Sequence, residues 1–376
     1  IFDQSSEGRR PGPLPARANG PGFLAGRIRR HFASRSQNPC KVQIVPRHAK
    51  VGLLLLLASG AGCQRSADPA PATPQILRLS QRNEPGDLDP ALATLADDFG
   101  ILRALCEGLL IPGPQGEPLP GAALRFEVSG DGLTYTFHLR PKARWSNGEP
   151  VTSADFVAAY RRLLTPATAA PKAGVFYPVK NARAFVTGAL ADFDQVGLQA
   201  RGAHTLVITL ERPTPRFPFY VMSGPWLPAY VPAIVRHGRR WTKPGNFVGN
   251  GPFTLDAWQA AQRIVVKKNP HWHGAAGVRL EEIHFMRFDS GETEERAYRT
   301  GQIHATMSVP FSKLETAARE RPAEFHRAPM IETRYLSFNT RRAPLDDPRV
   351  RRALALALDR AAIVTRVLKG GQAAAD

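Results

Sequence analysis

The chain has 376 residues, enough for two or three domains with cores of their own. Its 43% hydrophobic and 22% charged content is ordinary, which excludes wholesale disorder and a polytopic membrane protein. The net charge of +18 invites a nucleic-acid reading, yet residues 1–50 hold ten of the 50 basic residues against only Asp3 and Glu7. No basic tract is interleaved with stacking aromatics, so nucleic acid is not an expected partner.

In chain order, residues 1–44 are rich in Pro, Gly and Arg without periodicity, and the first Met is Met222. They read as a disordered or untranslated leader. Arg47 and Lys50 then precede the apolar run Val51–Ala58 and the small residues leading to Cys63. This layout is too short to span a bilayer and predicts a cleaved signal at 45–62. Gly60-Ala61-Gly62-Cys63 resembles a bacterial lipobox, which implies acylation of Cys63 and membrane attachment; a plain signal or a chance apolar run is the alternative. Residues 63–75, rich in Ala, Pro and Ser, read as a tether. The cysteines Cys40, Cys63 and Cys106 form neither a metal spacing nor a disulfide framework, and Cys106 sits in an apolar helical pattern as a buried thiol.

Ile76–Ser80 predicts a strand, Asn83–Pro90 a turn-rich loop, and Phe99–Leu110 a helix. Gly130-Asp131-Gly132 is a tight turn. Leu133, Tyr135, Phe137 and Leu139 alternate with polar residues, the pattern of a half-buried strand. Asn147-Gly148 marks another turn. Thr152 and Asp155 form a capping box with Asp in place of Glu, opening a helix that buries Phe156, Tyr160 and Leu163. Thr205–Leu210 is again a strand. The Pro-rich, aromatic passage Pro213–Pro232 predicts a long ordered loop. A strand at Ile264–Val266, a helix over Gly291–Thr300 and a strand opening at Gly301 follow. The end of the chain predicts an apolar strand to Asn339. A helix capped by Asp347 comes next, with Pro348 at its first position and Val350, Leu354, Leu358 and Ala361 on one face.

Four segments in this order, Asn83–Leu110, Leu133–Phe156, Trp241–Leu255 and Tyr335–Arg360, resemble the extracytoplasmic solute-binding proteins of family 5, the oligopeptide-binding proteins of peptide ABC transporters. The match runs from about Ile76 to the end. The resemblance implies an α/β, periplasmic-binding-protein type II-like, two-lobed fold with an extra inserted domain. Lobe I would comprise 76–106 and 231–333, the inserted domain 107–230, and 334–376 would begin a second lobe whose larger part is missing. It further implies a peptide ligand held between lobes, permease subunits as partners, a monomer, and a place in the periplasm or cell envelope.

The ligand-binding residues it implies are Thr94, Leu95 and Ala96 in the loop edging the cleft, and Ser308 and Val309 after the strand at Ile303. Tyr335, Phe338 and Asn339 would lie on the strand crossing into the second lobe. Lys172 stands where the oligopeptide binder has a ligand-facing Tyr, and it suits an acidic or carboxylate-bearing ligand. Trp145, Asn147, Asp155 and Gly251 belong to the family motifs, but their mechanics are those of turn, cap and close backbone approach. His271 and His273 could share a metal, yet no third ligand is evident. No nucleophile elbow, phosphate loop or zinc-protease pattern is present. The expectation is a binding protein without cofactor or chemistry. The alternatives within the class are a dipeptide, a murein peptide or another specialised solute, or a sensor using the same fold.

Overall fold

Alternating side chains need a sheet with one buried face, and the computed structural model supplies two such sheets. It describes residues 74–328 and 333–374. The leader, the signal segment and Cys63 lie outside the described residues. Among those described, no helix is long and apolar enough to cross a membrane.

Strand β1 (Ile76–Gln81) is followed by the loop holding Asp89 and then by helix α1 (Ala96–Leu105). Strands β2 (Leu110–Pro112) and β3 (Pro118–Pro120) form a two-stranded ribbon. Then come β4 (Ala123–Val128), β5 (Thr134–Leu139), α2 (Ser153–Leu164), α3 (Ala182–Val186), β6 (Leu198–Ala200) and β7 (Thr205–Thr209). Helices α4 (Phe217–Val221) and α5 (Val231–His237) lead to β8 (Phe253–Gln259), β9 (Arg263–Lys268) and β10 (Glu282–Arg287). Helices α6 (Gly291–Arg299), α7 (Leu314–Glu320) and α8 (Pro348–Leu356) complete the main elements.

The first sheet has the order β1-β10-β9-β8, with β1 parallel to β10 and the other pairs antiparallel. A parallel pair needs a long crossover, and here the crossover holds the second sheet, β4-β5-β7-β6. In β5 the inward residues Tyr135, Phe137 and Leu139 are buried, as the alternation requires. Helix α2 covers this second sheet with Phe156, Tyr160 and Leu163. The Thr152 capping box forms in full. The Asp155 carboxylate accepts from Thr152 N–H at 2.7 Å, and Asp155 N–H donates to the Thr152 hydroxyl at 3.3 Å.

The Pro-rich passage departs from expectation. It contains α4, a 3-10 turn at Gly224–Trp226 and α5, and prolines sit in the first turns of all three, where a missing N–H costs nothing. Trp226 is its anchor: fully buried, stacked on Phe176 at 3.9 Å and edge-on to Tyr160 at 5.1 Å. Helix α1 spans Ala96–Leu105 rather than Phe99–Leu110, because Asp98 caps its start and the chain turns extended at Cys106. The strand predicted at Gly301 reduces to one bridge, Leu79 with Ala305. The strand predicted up to Asn339 is also not formed over residues 333–339. Tyr335 is 79% exposed, and no described strand runs beside it to satisfy its backbone. Helix α8 starts as expected, with the Asp347 carboxylate accepting from Arg349 N–H at 2.8 Å, but none of its residues is buried and it stops before Leu358.

Candidate functional site

Three chain segments meet at the end of β1. The first is β1 itself. The second is the N-terminal turn of α1. The third is the stretch 304–307 after α6, which runs alongside β1: His304 N–H donates to Arg78 C=O at 2.8 Å, and Ser80 N–H to Ala305 C=O at 3.2 Å. Between them lies a cavity of about 180 Å³, walled by Leu79, Ser80 and Gln81, by Ala96, Asp97 and Gly100, by Phe285, and by Ala305–Met307.

A buried carboxylate holds this corner together. Glu294 on α6 is fully buried. Its Oε1 accepts from the Ser80 hydroxyl at 2.6 Å and from Met307 N–H at 2.5 Å. Its Oε2 accepts from Arg82 Nε and Nη2, both at 3.0 Å. A buried charge survives only when its lone pairs are filled, and four donors from two remote segments fill these. The segment 305–307 is thereby tied to β1.

A second carboxylate fixes the loop before α1. Asp98 Oδ2 accepts from Leu95 N–H at 3.0 Å and from Thr94 N–H at 3.3 Å. Upstream, buried Asp89 forms a forked ion pair with Arg162 of α2, whose Nη1 donates to Oδ1 at 2.9 Å. The turn following Asp89 closes on it, with Ala93 N–H donating to Asp89 C=O at 2.9 Å.

Of the residues expected at a ligand, only Ala96 lines this cavity. It opens α1 rather than lying in a loop. Thr94 and Leu95 are exposed beside it, their N–H groups already used by Asp98. Ser308 and Val309 follow Met307 directly, and their N–H groups have no acceptor among the described residues. Lys172 reaches α1 from the second sheet's unit, its ammonium 5.7 Å from the Phe99 ring centroid. Tyr335, Phe338 and Asn339 are not brought to this corner; Asn339 instead caps a local turn by accepting from Arg341 N–H at 3.1 Å. Ser80, Gln81 and Glu294 carry no site signal in the sequence, and Asp97 reads there only as a turn or cap carboxylate beside Asp98. A larger recess of about 480 Å³ lies between α2 and β6. It is an open surface groove without converging buried polar groups, and the smaller cavity is the better candidate for that reason.

The histidine pair resolves into two separate roles. His273 Nε2 lies 2.8 Å from the buried Glu107 carboxylate, which also accepts from Trp272 Nε1 at 3.3 Å. The His271 ring sits instead over Gly148. Among the described residues, no group of three or more candidate metal ligands occurs. Glu107 is further locked by a reciprocal pair: its N–H donates to Asn250 Oδ1 at 2.8 Å, and Asn250 Nδ2 donates to its C=O at 2.9 Å. Gly249 and Gly251 allow this approach, since a Cβ on Gly249 would stand 2.0 Å from Leu105 O and one on Gly251 2.6 Å from Cys106 N.

The geometry has counterparts among known proteins. The probable deoxycholate-binding periplasmic protein YgiS of Escherichia coli is 35% identical over 320 residues, 84% of this chain and 59% of its own length. The periplasmic oligopeptide-binding protein OppA of Salmonella typhimurium is 34% identical over 326 residues, 85% of this chain and 60% of its own. The structure of the Escherichia coli murein tripeptide binding protein MppA superposes with a TM-score of 0.76 at 34% identity, covering 80% of this chain and 59% of that one. The chain thus spans about three fifths of the length of these relatives. Its architecture is the mixed α/β, type II periplasmic-binding-protein fold expected from the sequence. Residues 117–376 match the bacterial extracellular solute-binding proteins, family 5 (middle), and the chain belongs to that family.

Proposed function

We propose that this protein captures oligopeptides outside the cytoplasm and hands them to the permease of an ABC importer. Family membership over residues 117–376 carries the reading. The relatives' names span an oligopeptide, a murein tripeptide and deoxycholate. A peptide is the solute two of these three share, and a dipeptide, a murein peptide or a non-peptide amphiphile is the competing occupant. The protein acts as a monomer in the periplasm or cell envelope. Its work is the difference in affinity between open and closed lobes rather than bond chemistry.

Lobe I comprises 76–106 and 231–333, and the first sheet, drawn from both stretches, supports that division. The inserted domain is 107–230, supported by the separate core around Phe137, Phe156 and Trp226. Residues 334–376 open the second lobe, and the exposed apolar side chains Leu336, Leu354 and Leu356 support apolar surface that packs elsewhere. Thr94, Leu95, Ala96, Lys172, Ser308, Val309, Tyr335, Phe338 and Asn339 remain the ligand-contact set of this reading. The free N–H groups of Ser308 and Val309 favour backbone contact with an extended peptide. Cys63 is the acylated residue and membrane anchor.

Native mass spectrometry of the protein purified from its own envelope tests the function. A ladder of bound masses spaced by amino-acid residues is expected. A single sharp non-peptide mass would replace the peptide reading with a specialised solute. Fractionation of Cys63→Ala tests the anchor: the variant leaves the membrane fraction and still binds its solute, and retention in the membrane would refute acylation at that residue.

A further inference from the structure

We propose that Asp97 makes the cavity at the end of β1 a subsite for a cationic side chain, the lysine or arginine of a bound peptide. The inference rests on the peptide-capture reading and names one of its specificity determinants.

Among the residues walling the cavity, Asp97 is the sole ionisable one. The rest of the wall is largely apolar, with Leu79, Phe285 and Met307 as its larger side chains. Of the three other polar side chains there, Ser80 and Gln81 are committed, and Thr306 offers an uncharged hydroxyl. The Ser80 hydroxyl donates to Glu294 and accepts from Met307 N–H, and Gln81 Nε2 donates to Asn83 C=O at 3.1 Å. Asp97 is committed on one side only: Asn83 Nδ2 donates to Oδ2 at 2.8 Å, which leaves Oδ1 for another donor. No Lys, Arg or His among the described residues pairs with it.

The nearby cations do not serve in its place. Arg82 is neutralised by Glu294. Lys172 lies over Phe99, two residues along α1, and at ~100° per residue that is the opposite side of the helix. A largely apolar recess with one half-satisfied, partly exposed carboxylate in its wall matches a long aliphatic stem with a charged tip, the chemistry of lysine and arginine. The volume of about 180 Å³ equals roughly six waters at ~30 Å³ each, enough for an extended side chain.

The test is calorimetric titration of the full chain with Ala-Lys-Ala and with Ala-norleucine-Ala, which keeps the stem and lacks the ammonium. The wild type is expected to prefer the lysine peptide by about tenfold to a hundredfold, as a charge-assisted hydrogen bond implies. In Asp97→Asn the ratio of the two affinities falls to near one. A merely structural role for Asp97 would weaken both peptides alike and keep the ratio, which would overturn the proposal. Acetylating the α-amino group leaves the preference in place; if instead the two peptides bind alike and acetylation weakens both, the carboxylate serves the peptide terminus and the side-chain assignment is wrong. Failure of the peptide reading itself is separable by titrating n-butylammonium against n-butanol by NMR. Shifts at the cavity residues with the cation, absent in Asp97→Asn, support the subsite even when no peptide binds. No shift in the wild type refutes it.

Discussion

Replacing Glu294 by Gln should loosen the cavity wall without emptying any volume. The glutamine keeps the shape, but one carboxylate oxygen becomes an NH₂. In either flip it faces donors: Ser80 Oγ and Met307 N–H on one side, Arg82 on the other. Hydrogen bonds to a charged group contribute about 1.5–3 kcal/mol each, and orphaning a buried donor costs about 1–3 kcal/mol. Arg82 is 40% exposed and can turn to water, so its share is discounted towards that of a surface pair. What remains is the Ser80 and Met307 side, about 2–4 kcal/mol of local stability. Amide hydrogen exchange reads this directly. The Met307 N–H should exchange about 30- to 1,000-fold faster in Glu294→Gln, with β5 protection unchanged because it belongs to the other sheet. A companion variant, Arg82→Ala, should do less, since Ser80 and Met307 still bind the carboxylate. Unchanged exchange at Met307 in Glu294→Gln, or a larger effect from Arg82→Ala, would refute the view that Glu294 fixes this segment.

Asn250→Ala should cost about 2–4 kcal/mol of unfolding free energy by urea titration, because it strands both backbone groups of buried Glu107. Gly249→Ala should destabilise by about 1–3 kcal/mol, its methyl meeting Leu105 O, whereas Gly86→Ala meets nothing within 4 Å and should sit within about 0.5 kcal/mol of wild type. Burial pushes the Cys106 thiol up to about 12, above its usual 9.0. At pH 8 the native protein should therefore alkylate at Cys106 about a thousandfold more slowly than the urea-unfolded chain, measured peptide by peptide by mass spectrometry; similar rates would show that the thiol is not buried.

What the sequence made legible was local. The alternation at Leu133–Leu139, the Thr152–Asp155 box and the Asp347-Pro348 helix start each depend on neighbours a few residues away, and each formed. The prolines of Pro213–Pro232 look like loop markers in the sequence, yet Pro218 and Pro232 open helices, as their first-turn preference allows. Glu294 was illegible for a different reason. Gly291–Arg299 carries three glutamates, two arginines and two apolar residues, so it reads as a solvated helix. Only Ala297, one turn on from Glu294, hints at which glutamate faces inward. The partner that makes burial tolerable, Ser80, is 214 residues away. Residues 333–339 failed in the opposite sense: an apolar run predicts a strand, but a strand also requires a neighbour.

The same accounting limits what this wall of the cavity can offer a ligand. Thr94 and Leu95 N–H are spent on Asp98, Ser80 Oγ and Met307 N–H on Glu294, and Gln81 on Asn83. Each of these groups would have to give up its present hydrogen bond before it could meet a ligand. Among the described residues, the groups still without a partner on this wall include the N–H groups of Ser308 and Val309, the Thr306 hydroxyl and one oxygen of Asp97. Two neighbouring N–H groups suit a peptide main chain, which every peptide presents, and one carboxylate selects among side chains. Because the carboxylates behind the wall hold these groups in place before any ligand arrives, little ordering cost falls on binding. On the peptide-capture reading proposed above, such a wall gives a broad binder with a bias towards basic residues.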